Sequence, residues 1–238
     1  MVHIGVYVGS RSSLLVNKRV FLDYLWIMKK TILRLPVKPR NSPLAVTIGM
    51  FDGMHRGHQE LFAKTLGSAL PLKAVMTFDE DFKAIAMKSA RPYLMTSADK
   101  AEYLGKNFDF SELIEISSDR KFIDMEPRRF IDEILKPLAV HEIYVGSDFR
   151  YGKGGRGTPA DLRAAGFKVS IVPFVELDGE KISTTALISA LGAGKLEMAQ
   201  AIMGRPYSFS GTVAEGFREG RRLGFPTANL YPAPGQAI

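Results

Sequence analysis

Apolar and polar positions run along this chain in blocks. "LAVTIG" (44–49) is apolar on both faces, which predicts a buried strand. "KAVMTF" (73–78), "ELIEIS" (112–117), "EIYVG" (142–146) and "KVSIVPF" (168–174) predict four more strands. Between them the period lengthens. "HQELFAKTLGSAL" (58–70) has apolar residues at helical spacing, and "TSADKAEYLGK" (96–106) opens on Thr96, a good N-cap. "EPRRFIDEILKP" (126–137) carries Pro127 in its first turn, and "PADLRAAG" (159–166) predicts a short helix. "STTALISALGAGKLEMAQAIMG" (183–204) predicts two short helices divided at Gly192 and Gly194.

Strands alternating with helices imply crossover units, so the expected fold class is α/β: a Rossmann-like parallel sheet with helices on both faces. In such sheets ligands bind beyond the carboxyl ends of the strands. Two glycine-rich loops are expected there, one after the first strand (49–57) and one after the fourth (147–158). Past Pro206 the helical period disappears and short β-prone runs with many glycines follow, as at the opening of a β-barrel. Three parts are expected: an extension outside the fold over 1–27, an α/β domain over 28–204, and an incomplete β-rich domain over 205–238. The apolar stretch near the start is broken by Lys18, Arg19 and Asp23, and it lacks the order of charges, apolar core and small residues that marks a signal peptide.

Composition narrows this. With 46% hydrophobic and 24% charged residues among 238, the chain can bury a core. It has no cysteine, which excludes disulfides and thiolate metal sites and suits a reducing, cytoplasmic setting. The net charge of +7 favours anionic partners such as nucleotides. The charges are dispersed, without a run of five Lys or Arg, so neither a nucleic acid nor a membrane is expected as partner.

The chemistry concentrates in "GMFDGMHRGH" (49–58), where His55 and His58 stand three apart at a strand-to-helix junction. Free N–H groups and a positive dipole end gather at such a junction, and glycines let a phosphate approach the backbone. Imidazoles at i and i+3 can donate to one polyphosphate, and either can carry charge near neutral pH. That arrangement suits in-line attack on a nucleotide α-phosphate. The rival readings are a hydrated turn with incidental histidines, or a metal site, for which no third ligand lies at obvious spacing.

Gly49-x-Phe51-Asp52-Gly53-x-His55-x-Gly57-His58 resembles the nucleotide-binding signature of the bacterial bifunctional riboflavin kinase/FMN adenylyltransferases, members of the His-x-Gly-His nucleotidylyl transferases. "VGSDFRYGKGGRGTPADL" (145–162) is similar to that family's second signature, "ISTTALISALGAGKLEMAQAIMGRPYSFSGTV" (182–213) to its late Ser-Ser-Thr helix and interdomain stretch, and "GRRLGFPTANL" (220–230) to the start of the kinase barrel. The resemblance implies that 28–204 binds MgATP and FMN and forms FAD and pyrophosphate. It implies catalytic roles for His55 and His58. Gly49, Phe51, Gly53 and Gly57 would shape the nucleotide pocket, with Asp52 bracing the loop. Asp148, Phe149 and Gly152 would lie on the nucleotide side of the second loop, and Ser183, Thr184 and Thr185 would cap the late helix near the phosphates. Thr227 and Asn229 would belong to a kinase Mg²⁺ site, with riboflavin as that half's substrate.

This sequence departs from the resemblance at three places. Ile188 stands where the family carries an arginine; losing its charge-assisted bonds would cost about 1.5–3 kcal/mol each. Lys83, Arg150, Lys153 and Arg156 are candidate replacements, Lys153 and Arg156 first. Phe78-Asp79-Glu80-Asp81-Phe82 replaces a Phe-Asp-Pro-His-Pro run and adds negative charge. The kinase barrel is incomplete, so kinase activity is not expected of this chain, while self-association through the open barrel is. Three other readings compete: a degraded nucleotide or flavin binder, a nucleotidylyl transferase with another phosphate substrate, and a nucleic-acid binder.

Overall fold

A computed structural model describes residues 6–7, 28–87, 92–214, 224 and 229–237. Of residues 1–27 it describes only β1 (Val6–Tyr7), which pairs antiparallel with Ser208–Phe209. The main sheet has six strands, one more than the hydrophobic pattern predicts. The addition is β2 (Lys29–Ile32), whose mostly exposed residues hide it from a search for apolar runs. It lies parallel to the strand Glu112–Ile116 at one edge of the sheet.

The next strand, β3 (Leu44–Ile48), is buried at every residue. Its side chains alternate between two cores, one on each face of the sheet. Val46 and Ile48 join a cluster with Met76, Phe122, Phe130 and Leu162. On the other face Phe62, Leu104, Leu187 and Ile202 pack together. Helix α1 (Arg56–Leu66) leads into β4 (Leu72–Phe78). A short α2 (Phe82–Met87) follows, then α3 (Ser97–Asn107), which starts at Thr96 with a reciprocal capping box to Asp99. β5 (Glu112–Ile116) is buried throughout.

The predicted helix over 126–137 is resolved into two parts. After α4 (Arg120–Ile123), α5 (Pro127–Phe130) passes into a π-helical turn over Ile131–Leu135, closed by Lys136 N–H donating to the Ile131 carbonyl at 3.0 Å. β6 (Val140–Gly146), α6 (Pro159–Ala164) and β7 (Lys168–Val172) complete the α/β unit. A two-stranded hairpin, β8 (Glu176–Leu177) and β9 (Glu180–Lys181), leads to α7 (Thr184–Gly192) and α8 (Leu196–Met203), separated near Gly194 as the sequence predicts. Beyond them lie β10 (Ser208–Phe209) and an antiparallel ribbon of β11 (Gly211–Ala214) with β12 (Asn229–Pro232).

The strand order is β2-β5-β4-β3-β6-β7, all parallel. From β3 the chain winds outward through β4 and β5, then returns to place β6 on β3's other side. The direction of winding therefore reverses between β3 and β6. The loops leaving these two strands diverge there and open a crevice, the usual ligand position in an open parallel sheet. Among the described residues, no helix is long and apolar enough to cross a membrane.

Candidate active site

The loop from β3 to α1 lines that crevice, and its backbone is unusual. Phe51 and Met54, neither a glycine, have φ of 47° and 42°. Gly53, between them, has φ of 76°, and a Cβ there would meet Leu187 Cδ2 and Leu94 Cδ1, each at 2.8 Å. At Gly49 a Cβ would meet Phe51 Cζ at 2.9 Å, because the Phe51 ring folds back over the backbone. Phe51 is itself only 1% exposed, and its ring stands perpendicular to that of His58 with centroids 5.3 Å apart.

Side chains from different elements fix the loop's carbonyls. Thr77 donates to Met50 O at 3.0 Å, Thr184 to Asp52 O at 3.2 Å, Arg205 to Gly53 O at 3.2 Å and Gln59 to Met54 O at 2.9 Å. The Asp52 carboxylate accepts from Leu94 N–H at 2.8 Å and Met95 N–H at 3.0 Å, tying the loop to the approach of α3.

His55 is the N-cap of α1, with Gly57 facing its ring. Its Nδ1 lies 3.4 Å from His58 N–H, which donates chiefly to the His55 carbonyl at 2.8 Å. The two imidazoles stack with centroids 3.6 Å apart. His55 is buried, and burial lowers its pKa to about 4; the charge of Lys181 adds to the fall, and a backbone hydrogen bond opposes it. His58 is lowered well below the usual value, by burial first and then by the charges of His55 and Lys100. As a residue His58 is half-buried, but its Nδ1 is fully enclosed and has no partner among the described residues. The expectation that either histidine carries charge near neutral pH is therefore corrected: in the resting site both are neutral. Two rings 3.6 Å apart cannot both be cationic at low cost without an anion between or beside them.

The late helix meets this loop directly. Ser183 caps α7, its Oγ accepting from Ala186 N–H at 3.1 Å, and Thr184 is the residue on Asp52 O. Thr185 is exposed in the first turn. Ile188, half-buried on α7, packs against the core that holds Phe51 and Leu187.

The second loop splits into two sides. Asp148 reaches towards the β8–β9 hairpin and pairs with Lys181 at 3.0 Å. Lys181 also lies 3.3 Å from the centroid of Phe174, and its charge is felt at His55. The remainder leans the other way. Phe149 stacks on Tyr151 at 5.9 Å, Gly152 abuts Pro127, Lys153 N–H donates to Met125 O at 2.7 Å, and Arg156 pairs with Glu126 at 3.4 Å. These contacts tie the Lys153 backbone and the Arg156 side chain to the turn between α4 and α5, while the charge of Lys181 acts on His55. Sequence reasoning passed over Lys181; its position two residues before Ser183 was the available signal. Arg150 Nη1 folds onto Phe149 O, and the Lys83 side chain lies outside the described residues.

The acidic run after β4 is absorbed by the scaffold. Asp79 accepts from Phe82 and Ser118 N–H, and Glu80 from Ser97 N–H and Oγ. Behind them Lys100, 2% exposed, donates to Phe78 O at 2.9 Å, and burial lowers its pKa. Thr227 lies outside the described residues; Asn229 is exposed on β12, opposite Ala214.

Two cavities among the described residues bear on the site. The larger, about 360 Å³, opens at the N-terminal ends of the strands among Lys29, Arg40, Leu44 and Glu112, where Arg40 is already bound to Glu112. It is remote from the histidines, at the wrong end of the strands for a switch-point ligand. The smaller, about 260 Å³, lies between the β8–β9 hairpin and the α7–α8 pair, bordered by Lys181, Ile182 and Met198.

The sequence matches the FAD synthetase family over residues 37–186 and the riboflavin kinase family over residues 203–238. Bifunctional riboflavin kinase/FMN adenylyltransferases are similar to it. That of Listeria monocytogenes is 36% identical over 195 residues, covering 78% of this chain and 61% of the relative. That of Haemophilus influenzae is 37% identical over 196 residues, covering 78% and 63%. That of Escherichia coli K12 is 34% identical over 196 residues, covering 78% and 62%. The chain thus spans about three fifths of the length of these relatives. A crystal structure described as a macrolide-efflux protein from Streptococcus pneumoniae superimposes with a TM-score of 0.74 at 29% identity, over 88% of this chain and 71% of that one. Since the FAD synthetase match takes in β3 to the start of α7, and with them the histidine pair and both loops of the crevice, the chain belongs to the FAD synthetase family.

Proposed function

We propose that this chain is an FMN adenylyltransferase. A phosphate oxygen of FMN attacks the α-phosphorus of ATP, the bond from that phosphorus to the bridging oxygen breaks, and pyrophosphate leaves as FAD forms. The observation that carries the reading is the stacked histidine pair at the sheet's switch point, beside a helix N-terminus. A triphosphate there receives N–H donors from a preorganised surface, which stabilises charge building on the leaving group. Because both imidazoles rest neutral, an arriving polyphosphate raises their pKa values and draws in protons. Lys181, paired with Asp148, adds positive potential at His55. Among the described residues no three His, Asp or Glu converge as a metal site, so in this reading Mg²⁺ enters on the triphosphate.

The segment matching riboflavin kinase places Asn229 in an antiparallel ribbon, which fits an early piece of that domain; Thr227 and Asn229 belong to its Mg²⁺ site in this reading, with riboflavin as substrate. We place the protein in the cytoplasm, in keeping with its lack of cysteine. One observation favours a second reading, a flavin or nucleotide binder without turnover: half-buried Ile188 packs against the core where an arginine would grip phosphate.

The test is to incubate the full chain with FMN and MgATP and to follow FAD and pyrophosphate by chromatography, beside His58→Ala. FAD formation that vanishes in the variant is expected. Tight ATP or FMN binding with no FAD would overturn catalysis in favour of the binder.

A further inference from the structure

Non-glycine residues held at positive φ persist only where their surroundings over-determine the backbone. In the signature loop the four carbonyl contacts to Met50, Asp52, Gly53 and Met54 do this. Three of the donors, Gln59, Thr77 and Thr184, lie within the stretch that matches FAD synthetase. The fourth, Arg205, lies within the stretch that matches riboflavin kinase.

Arg205 is placed as a strut. Its Nη2 donates to Gly53 O at 3.2 Å and lies 3.8 Å from Met95 Sδ. Its guanidinium sits 4.3 Å from the centroid of Tyr103 on α3, and its Nε is buried without a partner among the described residues. A planar cation can stack on a ring and point one nitrogen at a carbonyl at the same time; an ammonium cannot hold both geometries. The same segment closes on the loop from a second side. Ala237 N–H donates to Tyr93 O at 2.7 Å, Gln236 Nε2 to Leu94 O at 3.1 Å, and Tyr207 OH to Ala237 O at 2.6 Å. Leu94 and Met95 are the residues whose N–H groups hold Asp52.

We propose that Arg205 is a positioning residue for the histidine pair, so that the kinase-family segment completes the adenylyltransferase loop. Fixing the Gly53 carbonyl fixes the backbone that presents His55 two residues on and His58 five residues on. The activity arm of its test rests on the FMN adenylyltransferase reading; the spectroscopic arm does not.

The experiment uses the full chain with Arg205→Ala, Arg205→Lys and Gln236→Ala. Imidazole NMR signals of His55, His58 and His141 are recorded with kcat and KM for FAD formation. In Arg205→Ala the His55 and His58 signals should shift or broaden while His141 stays, and kcat should fall tenfold or more with KM for FMN little changed. Arg205→Lys should be intermediate, and Gln236→Ala should move in the same direction by less. Should Arg205→Ala fail to fold, Arg205→Lys decides by the same signals. Unmoved His55 and His58 signals in a folded variant would overturn the proposal, whether kcat holds or falls, since a fall alone would mean contact with substrate. If the wild-type chain makes no FAD, the activity reading fails while the histidine signals still judge the strut.

Discussion

The neutral state of His55 has a measurable consequence for stability. The perturbation is acid, between pH 7 and pH 5. In the unfolded chain an imidazole has its ordinary pKa near 6.5 and takes up most of a proton across this range. In the folded protein burial holds the His55 pKa at about 4, so it takes up little. The unfolded state therefore binds more protons, and stability must fall as the pH is lowered. The contribution is complete above pH 6.5, declines on the way down, and is spent once the pH passes the folded value. Integrating from pH 7 to pH 5 makes it about 2 kcal/mol for His55 alone. His58 acts in the same direction. Glu142, whose hydrogen bond with Lys168 holds its pKa at about 2, adds a small loss of stability only near pH 5, as the unfolded carboxylate begins to titrate, and this is common to the wild-type chain and a histidine variant.

The assay is urea unfolding at pH 7, 6 and 5, with His55→Asn for comparison. Asparagine is a good N-cap and does not titrate, so it keeps the start of α1 while removing the proton site. The wild-type chain should lose about 2 kcal/mol more than the variant across the window, a midpoint difference of roughly 1 M urea at an m-value near 2 kcal/mol/M. Parallel pH dependence in the two proteins would refute the reasoning: His55 would then not be neutral in the folded site.

Two further outcomes are expected. Gly53→Ala combines left-handed backbone, about 1–2 kcal/mol, with Cβ overlap on Leu187 and Leu94, about 1–3 kcal/mol; differential scanning calorimetry should show Tm lowered by roughly 4–20 °C, and an unchanged Tm would remove the argument. The β11–β12 ribbon leaves Val213 38% and Tyr231 60% exposed, and an open two-stranded ribbon invites pairing, so sedimentation velocity should show association rising with concentration; a single monomer at all concentrations would count against it.

Much of the α/β domain could be read from local pattern. The uninterrupted apolar run of β3 announces a strand buried on both faces, and Thr96 announces the start of α3, because burial and capping each depend on a few adjacent residues. The histidine signature was legible for the same reason: its glycines and imidazoles act within one loop. The edge strand β2 escaped because only one of its four residues is not exposed, which leaves no periodicity to detect. The π-helical turn after α5 escaped because its widened hydrogen bond, Lys136 to Ile131, leaves no mark in the residue types.

The sequence by itself determined five strands of the main sheet, the capped start of α3, and that two histidines stand at a strand-to-helix junction. Only the tertiary structure decided that β6 lies beside β3, so that the second loop and the first share one crevice. It also decided that both imidazoles are neutral, that the charge of Lys181 acts on His55 while Arg156 pairs with Glu126, and that Arg205 reaches back 152 residues to Gly53. The physical reason is one of range. Propensity, capping and periodicity act within a turn or two, whereas desolvation and charge at a site are set by whatever the fold brings there, from any distance along the chain.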